Sequence, residues 1–246
     1  MRSYTNLAWP DDPYRASQQL YRRPGPMLAA FAVLPAGTAQ VRAPAAVAVA
    51  YLPLHRSRAV TVTEDTLALG FRAASAASDA ELPALAGAAD LDLLQARRHA
   101  RFLAGHALAD SLRALRGAVP APAARGLAAV AADWGRGRPS ARGSAAMTDA
   151  ADGGGDLASA CRDAGIMASP EGLTGGTVNP ADPEAPGLLA AAASERALVI
   201  ALACARRSGL YEWDGTLRAA RIMAAAAWDL FPDAAWDGVP CGQTVS

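Results

Sequence analysis

The stretch Met27-Leu28-Ala29-Ala30-Phe31-Ala32-Val33-Leu34, closed by Pro35-Ala36-Gly37, decides how the chain is read. Eight apolar residues run without interruption, and proline and glycine stop them. The run is too short to span a membrane. Its length and its Pro/Gly boundary predict a buried β-strand. Arg22 and Arg23 before it and the small residues after it loosely imitate a secretory signal. The stretch ahead is too long for that, however, and holds Asp11 and Asp12. Ala45 to Leu54 is a second apolar run, and Ala59 to Thr63 alternates Val60 and Val62 with other residues. The links between these runs leave no room for crossover helices. Three antiparallel strands in a meander are therefore expected.

Downstream the period changes. Ser78-Asp79-Ala80-Glu81 predicts a helix start, with Ser78 as cap and Glu81 three residues on. Leu82, Leu85, Leu91 and Leu94 carry its apolar face. Arg101 to Ala104 reads as a strand ending at Gly105, and Ala107 to Arg116 as a helix. Leu127 to Trp134 is a further helix, Gly135 to Gly143 a basic loop, and Ala145 to Asp149 a last strand. Asp156 to Ala164, Gly187 to Arg207 and Thr216 to Leu230 read as helices, with a loop over 168–186. The expected fold is α/β, with a mixed five-stranded sheet flanked by helices. Residues 1–26 are expected to be an irregular extension, 27–231 the domain and 232–246 a tail.

Composition removes whole classes of function. The chain has 246 residues, 52% of them hydrophobic, and a net charge of zero. That excludes full disorder. All 23 basic residues are arginine. Without lysine there is no P-loop, no Schiff base, no kinase lysine and no SxxK nucleophile. Neutrality argues against a strongly basic nucleic-acid binder. Cys161, Cys204 and Cys241 are too few for a disulfide framework and fit a reducing compartment, so the expected location is cytoplasmic. Cys161 and Cys204 are expected in helix cores and Cys241 in the tail. Serine-hydrolase chemistry lacks its G-x-S-x-G elbow. Gly153-Gly154-Gly155 lacks dinucleotide-loop spacing.

Element order and three motif skeletons together resemble the DnaQ-like (DEDD) 3′–5′ exonucleases, a branch of the ribonuclease H-like fold. The first skeleton is Phe31-Ala32-Val33-Leu34-Pro35-Ala36-Gly37, against the family's F-D-x-E-T-T-G. The second is Gly105-His106-Ala107-Leu108-Ala109-Asp110-Ser111, against G-H-N-x-x-x-D. The third runs from Glu195 to Ile200, against H-x4-D, and Thr148-Asp149 is similar to a structural D-T step on the last strand. The resemblance covers roughly residues 27–210. It implies two divalent metals held by four carboxylates, with a histidine or tyrosine base. Here Ala32, Leu34, Ser111 and Ile200 replace ligands, and Glu195 replaces the base. Asp110 stands one residue early, which turns a helical side chain by about 100°. The resemblance therefore implies a domain that has lost its chemistry, with no cofactor and no metal of its own.

Such a domain is expected to bind single-stranded nucleic acid or a protein partner, and not a membrane. A homodimer follows from the resemblance alone. The nucleic-acid candidates are His106, Arg136, Arg138, Arg142 and Arg196, since guanidinium forks suit phosphate. A competing expectation keeps an active exonuclease with displaced ligands. Glu64, Asp65, Asp110, Asp149 and Glu195 would then converge on Mg²⁺ or Mn²⁺. A third is a protein-interaction scaffold with no nucleic-acid role. His99, His106 and Asp110 could be drawn together as a metal site, but a surface or turn-capping His106 is the plainer expectation, and His55 is expected exposed. Trp213 and Trp228 are expected to seal the last helix.

Overall fold

The chain folds as one mixed sheet between two helical layers. The computed structural model describes residues 1–7, 27–37, 42–55, 57–120, 124–136, 145–151, 155–174, 182–227 and 229–236. In chain order the first elements are β1 (Arg2–Thr5), β2 (Met27–Gly37), β3 (Arg42–Pro53), β4 (Val60–Thr61) and β5 (Gly70–Ser75). Next come α1 (Leu82–His99), β6 (Phe102–Gly105), α2 (Leu108–Gly117), α3 (Arg125–Arg136) and β7 (Ala146–Asp149). The remainder is α4 (Leu157–Asp163), β8 (Ile166–Met167), α5 (Pro170–Thr174), α6 (Ala185–Arg207), β9 (Tyr211–Glu212), β10 (Leu217–Arg218) and α7 (Ala219–Ala227).

The main sheet has the order β1-β5-β3-β2-β6-β7. β2 and β3 form a long antiparallel hairpin, with a register shift between Leu34 and Pro35. The shift falls where proline lacks the N–H that the ladder needs. β5 is antiparallel to β3, whereas β6 runs parallel to β2 and β7 parallel to β6. β2, β5, β6 and β7 therefore all run toward the same edge.

Alternation along the hairpin sorts side chains by size. Ala30, Ala32 and Leu34 of β2 and Ala46, Ala48 and Ala50 of β3 join the core that contains α6. Phe31 and Val33 of β2, with Val47, Val49 and Tyr51 of β3, join the core that contains α1, α2 and α3. The alanine face lets α6 lie close to the strands, and the large face fills the space under the other helices. By length and composition α6 could cross a membrane, but 83% of its apolar window is buried inside the domain.

Several expectations change. Of Ala59–Thr63 only Val60 and Thr61 are extended, and they pair with Tyr211 and Glu212 in a separate ribbon. The strand that completes the meander is β5. Phe71 and Ala73 go to the α6 core and Ala74 to the other, but its Ala and Ser content gives little β-propensity. The main sheet has six strands rather than five because β1 pairs with β5. The first residues are thus part of the sheet and not an irregular extension. Tyr4 packs on Phe231 with ring centroids 5.0 Å apart, and Phe231 on Phe71 at 5.7 Å. The stretch 168–186, expected as a loop, contains α5. Ser78 makes no capping hydrogen bond, while Glu81 accepts one from the Ala77 N–H at 2.7 Å. The expected helix over 216–230 is shorter, because Leu217 and Arg218 pair in parallel with Ile166 and Met167. The rest of the expected extension from residue 8, and the tail from residue 237, lie outside the described residues.

The helical layer over the large face carries its own polar ties. The Asp90 carboxylate accepts from the Leu127 N–H at 2.8 Å and so caps α3 from α1. Gly126 is needed there, since a Cβ would come within 2.2 Å of the Asp90 carbonyl oxygen. Asp133, fully buried, pairs with Arg97 at 2.9 Å.

Asp92 falls on the same helical stripe as Leu85, Ala89 and Ala96 and is 4% exposed. Burial pushes its carboxyl up to about 6, against the opposing charge of Arg72 at 3.4 Å. The folded state thus binds the Asp92 proton more tightly than the unfolded chain does. Its contribution is full below the unfolded value of 3.8 and is lost as pH rises through 6. Asp92→Asn is expected to raise stability at pH 7 by on the order of 2 kcal/mol. It should also flatten the decline between these two pH values. Urea titrations of both forms at acid and neutral pH measure this, and an unchanged slope would contradict it.

Candidate functional site

In open α/β sheets ligands are taken beyond the carboxyl ends of parallel strands. Here β6 and β7 stop well before the end of β2, since β6 pairs with β2 only over Leu28–Ala30, and the end of β2 meets that of β5 and the first turn of α6. A cavity of about 300 Å³ opens there. Ala36 and Ala45 from the hairpin, Ala76 beyond β5, and Ala185, Pro186 and Leu189 from α6 wall it. The polar side chains on its lining are Ser78 and Asp79.

The sequence-derived positions distribute around this edge unevenly. Ala32 and Leu34 are wholly buried in the α6 core, and Ile200 is buried with them. Ser111 is half-buried on α2. Glu195, 6% exposed, turns to α5 instead of to the end of β2. It accepts from the Ser169 N–H at 2.8 Å and, through a very short contact, from the Ser169 hydroxyl. A Cβ on Gly172 would stand 2.9 Å from the Glu195 Oε2, so a larger residue there would push the carboxylate aside. The next residue, Arg196, donates to the carbonyls of Leu173 and Gly172. Consecutive residues of α6 thus grip the two ends of α5, the acid at its amino end and the base at its carboxyl end, as the helix dipole favours. Burial raises the Glu195 carboxyl above its ordinary range, opposed by the two Ser169 hydrogen bonds.

His106 follows β6 directly. Its side chain is 14% exposed and its Nδ1 lies 3.8 Å from the Asp149 carboxylate at the end of β7. It is therefore neither a surface histidine nor a turn cap. Nδ1 is buried without a hydrogen bond. Burial first, and Arg196 second, hold the imidazole below its usual pKa, against the opposing charges of Asp149 and Asp156. Ala107, at φ 48°, makes the left-handed turn into α2 that sets this geometry. Burial pushes the Cys161 thiol up to about 11, which makes it a core residue and not a nucleophile. Cys204 is buried as well, and His55 is exposed.

The remaining carboxylates have separate partners. Glu64 accepts from the Arg218 N–H at 2.8 Å and pairs with Arg221 at 3.1 Å. Asp65 beside it is exposed. Asp110 is largely exposed and pairs with Arg113 at 2.5 Å, away from His106. Asp149 accepts from the Ala151 N–H at 2.8 Å. Glu64, Asp65, Asp110, Asp149 and Glu195 do not form one ligand set, and no metal-holding group of three occurs among the described residues.

The arginine candidates also separate. Arg136 pairs with Asp133 at 3.3 Å, and Asp133 is tied to Arg97 in the last turn of α1. The Ala145 N–H donates to the Arg97 carbonyl just before β7 begins. Arg136 therefore sits at the amino end of the parallel strands, whereas His106 and Arg196 sit at the carboxyl end. Arg138 and Arg142 lie outside the described residues. Trp213 is buried under the Arg206 guanidinium at 4.4 Å, and Trp228 also lies outside the described residues.

Sequence reasoning missed Ser169, Gly172 and the Ala185–Leu189 turn. Ser169-Pro170-Glu171 carries a helix-start signal that could have marked α5. Nothing local marks the partnership of α5 with Glu195. Glu195→Ala is expected to cost about 1–3 kcal/mol, because two Ser169 donors lose their acceptor. It should speed amide hydrogen exchange at 169–174 while leaving β2 and β3 protected. Exchange unchanged in α5 would show that the clasp does not hold it. No family model, curated protein or solved structure matches the chain.

Proposed function

We infer that the chain is a ribonuclease H-like domain of the DnaQ type that has lost its metal centre and serves as a binding or assembly module. Two features support the fold assignment. The inner five strands follow the order β5-β3-β2-β6-β7, with a meander first and two parallel strands after it. A long helix, α6, then crosses the face of the central hairpin. The observation that carries the functional reading is the burial of Ala32, Leu34 and Ile200, where the resemblance calls for oxygen ligands, in the apolar core around α6. Ala32 and Leu34 are packed too deeply to be replaced by charge without cost.

Labelled single-stranded DNA and RNA, incubated with the protein and Mg²⁺ or Mn²⁺, are expected to stay intact. Metal-dependent trimming that follows the protein through stringent purification would overturn the reading. Ala32→Asp gives an independent check. Placing an unpaired carboxylate at a fully buried position should cost roughly 3–5 kcal/mol. Mn²⁺ should not restore that loss in thermal melts. Restoration by Mn²⁺ would reveal a cation site that the present reading denies.

A further inference from the structure

We propose that the cavity at the end of β2 docks an apolar side chain of a protein partner, presented next to basic residues. This deepens the reading of the domain as a binding module and rests on it. Three observations lead there. The cavity, about 300 Å³, is at the low end of the range for ligand pockets, so it suits one large side chain and not an extended ligand. Its walls come from strand ends and the first turn of a 23-residue helix. They are preformed, and little ordering is needed on binding. Among the described residues the one charged side chain on its lining is Asp79, and Asp182 and Glu184 stand in the turn that leads into Ala185.

That rim repels a phosphate chain and attracts a cation. An apolar anchor that enters the cavity leaves its chain neighbours at the rim, where arginine or lysine would meet Asp79. The centre would supply the affinity and the rim the choice of partner. A nucleic-acid end fits neither the apolar wall nor the acidic mouth.

Three short peptides test this on isotope-labelled protein by NMR: acetyl-Arg-Leu-Arg-amide, acetyl-Arg-Ala-Arg-amide and acetyl-Glu-Leu-Glu-amide. The first is expected to shift the amides of Ala76 to Asp79 and of Gly187 to Leu189 saturably. The other two, and a short oligothymidylate, are expected to leave them in place. Asp79→Arg, at an exposed position that the fold does not need, should weaken the first peptide roughly three- to tenfold. The same change should let acetyl-Glu-Leu-Glu-amide bind. Absence of saturable shifts with acetyl-Arg-Leu-Arg-amide, an equal response to acetyl-Arg-Ala-Arg-amide, or shifts caused by oligothymidylate would each overturn the proposal. Mn²⁺ added to the same sample separates the two levels. Selective broadening of these amides would sink the lost-metal reading whatever the peptides do.

Discussion

The fit of α6 against the small-residue face of the β2–β3 hairpin governs the rest of the structure. Ala30, Ala32, Ala46, Ala48 and Ala50 meet a helix whose own buried residues include Ala190, Ala193, Ala197 and Ala201. Small side chains on both partners permit a close approach, and many weak dispersion contacts replace a few large ones. The opposite face of the same strands carries Phe31, Val49 and Tyr51, which need the wider space under α1, α2 and α3. One hairpin thus sets the spacing of both layers.

That closeness has a chemical consequence. A space built for alanine does not admit a carboxylate with its water or metal, and an unpaired charge there would be expensive. Three of the buried carboxylates have defined partners. Asp92 faces Arg72, Asp133 is held by Arg97 and Arg136, and Glu195 caps α5 through Ser169. Removing the arginines from Asp133 or Ser169 from Glu195 would leave a buried carboxylate unpaired, so these two contacts act chiefly to fix geometry. Together the three tie α1 to α3 and to β5, and α6 to α5. Across the remaining edge of the sheet the cavity wall stays apolar with an acidic rim.

Much of this was legible from the chain, and where it was not, the reasons are particular. The first two strands were readable because continuous apolar runs bounded by proline and glycine have few other uses. The long helix was readable from its length and from Gly209 beyond it. β5 was hidden because Ala73, Ala74 and Ser75 carry no β-propensity, while Val60 and Thr61 carried it without a neighbour in the main sheet. At the candidate site, the apolar character of Ala32, Leu34 and Ile200 could be read directly. The partners of His106 and Glu195 could not, since Asp149 and Ser169 are far away in sequence.

By itself the sequence determined the α/β class, the absence of lysine chemistry, and the apolar character of the stretches around Phe31 and along α6. These follow from residue type and local period, which need no partner to be read. Only the tertiary structure decided that Arg136 and His106 stand at opposite ends of the parallel strands. It also decided that Glu195 serves as a cap for α5, and that alanines distant in sequence enclose a cavity beside Asp79. Those outcomes depend on strand order and on the path of α6 across the sheet, and contacts between residues far apart along the chain leave no local trace in it.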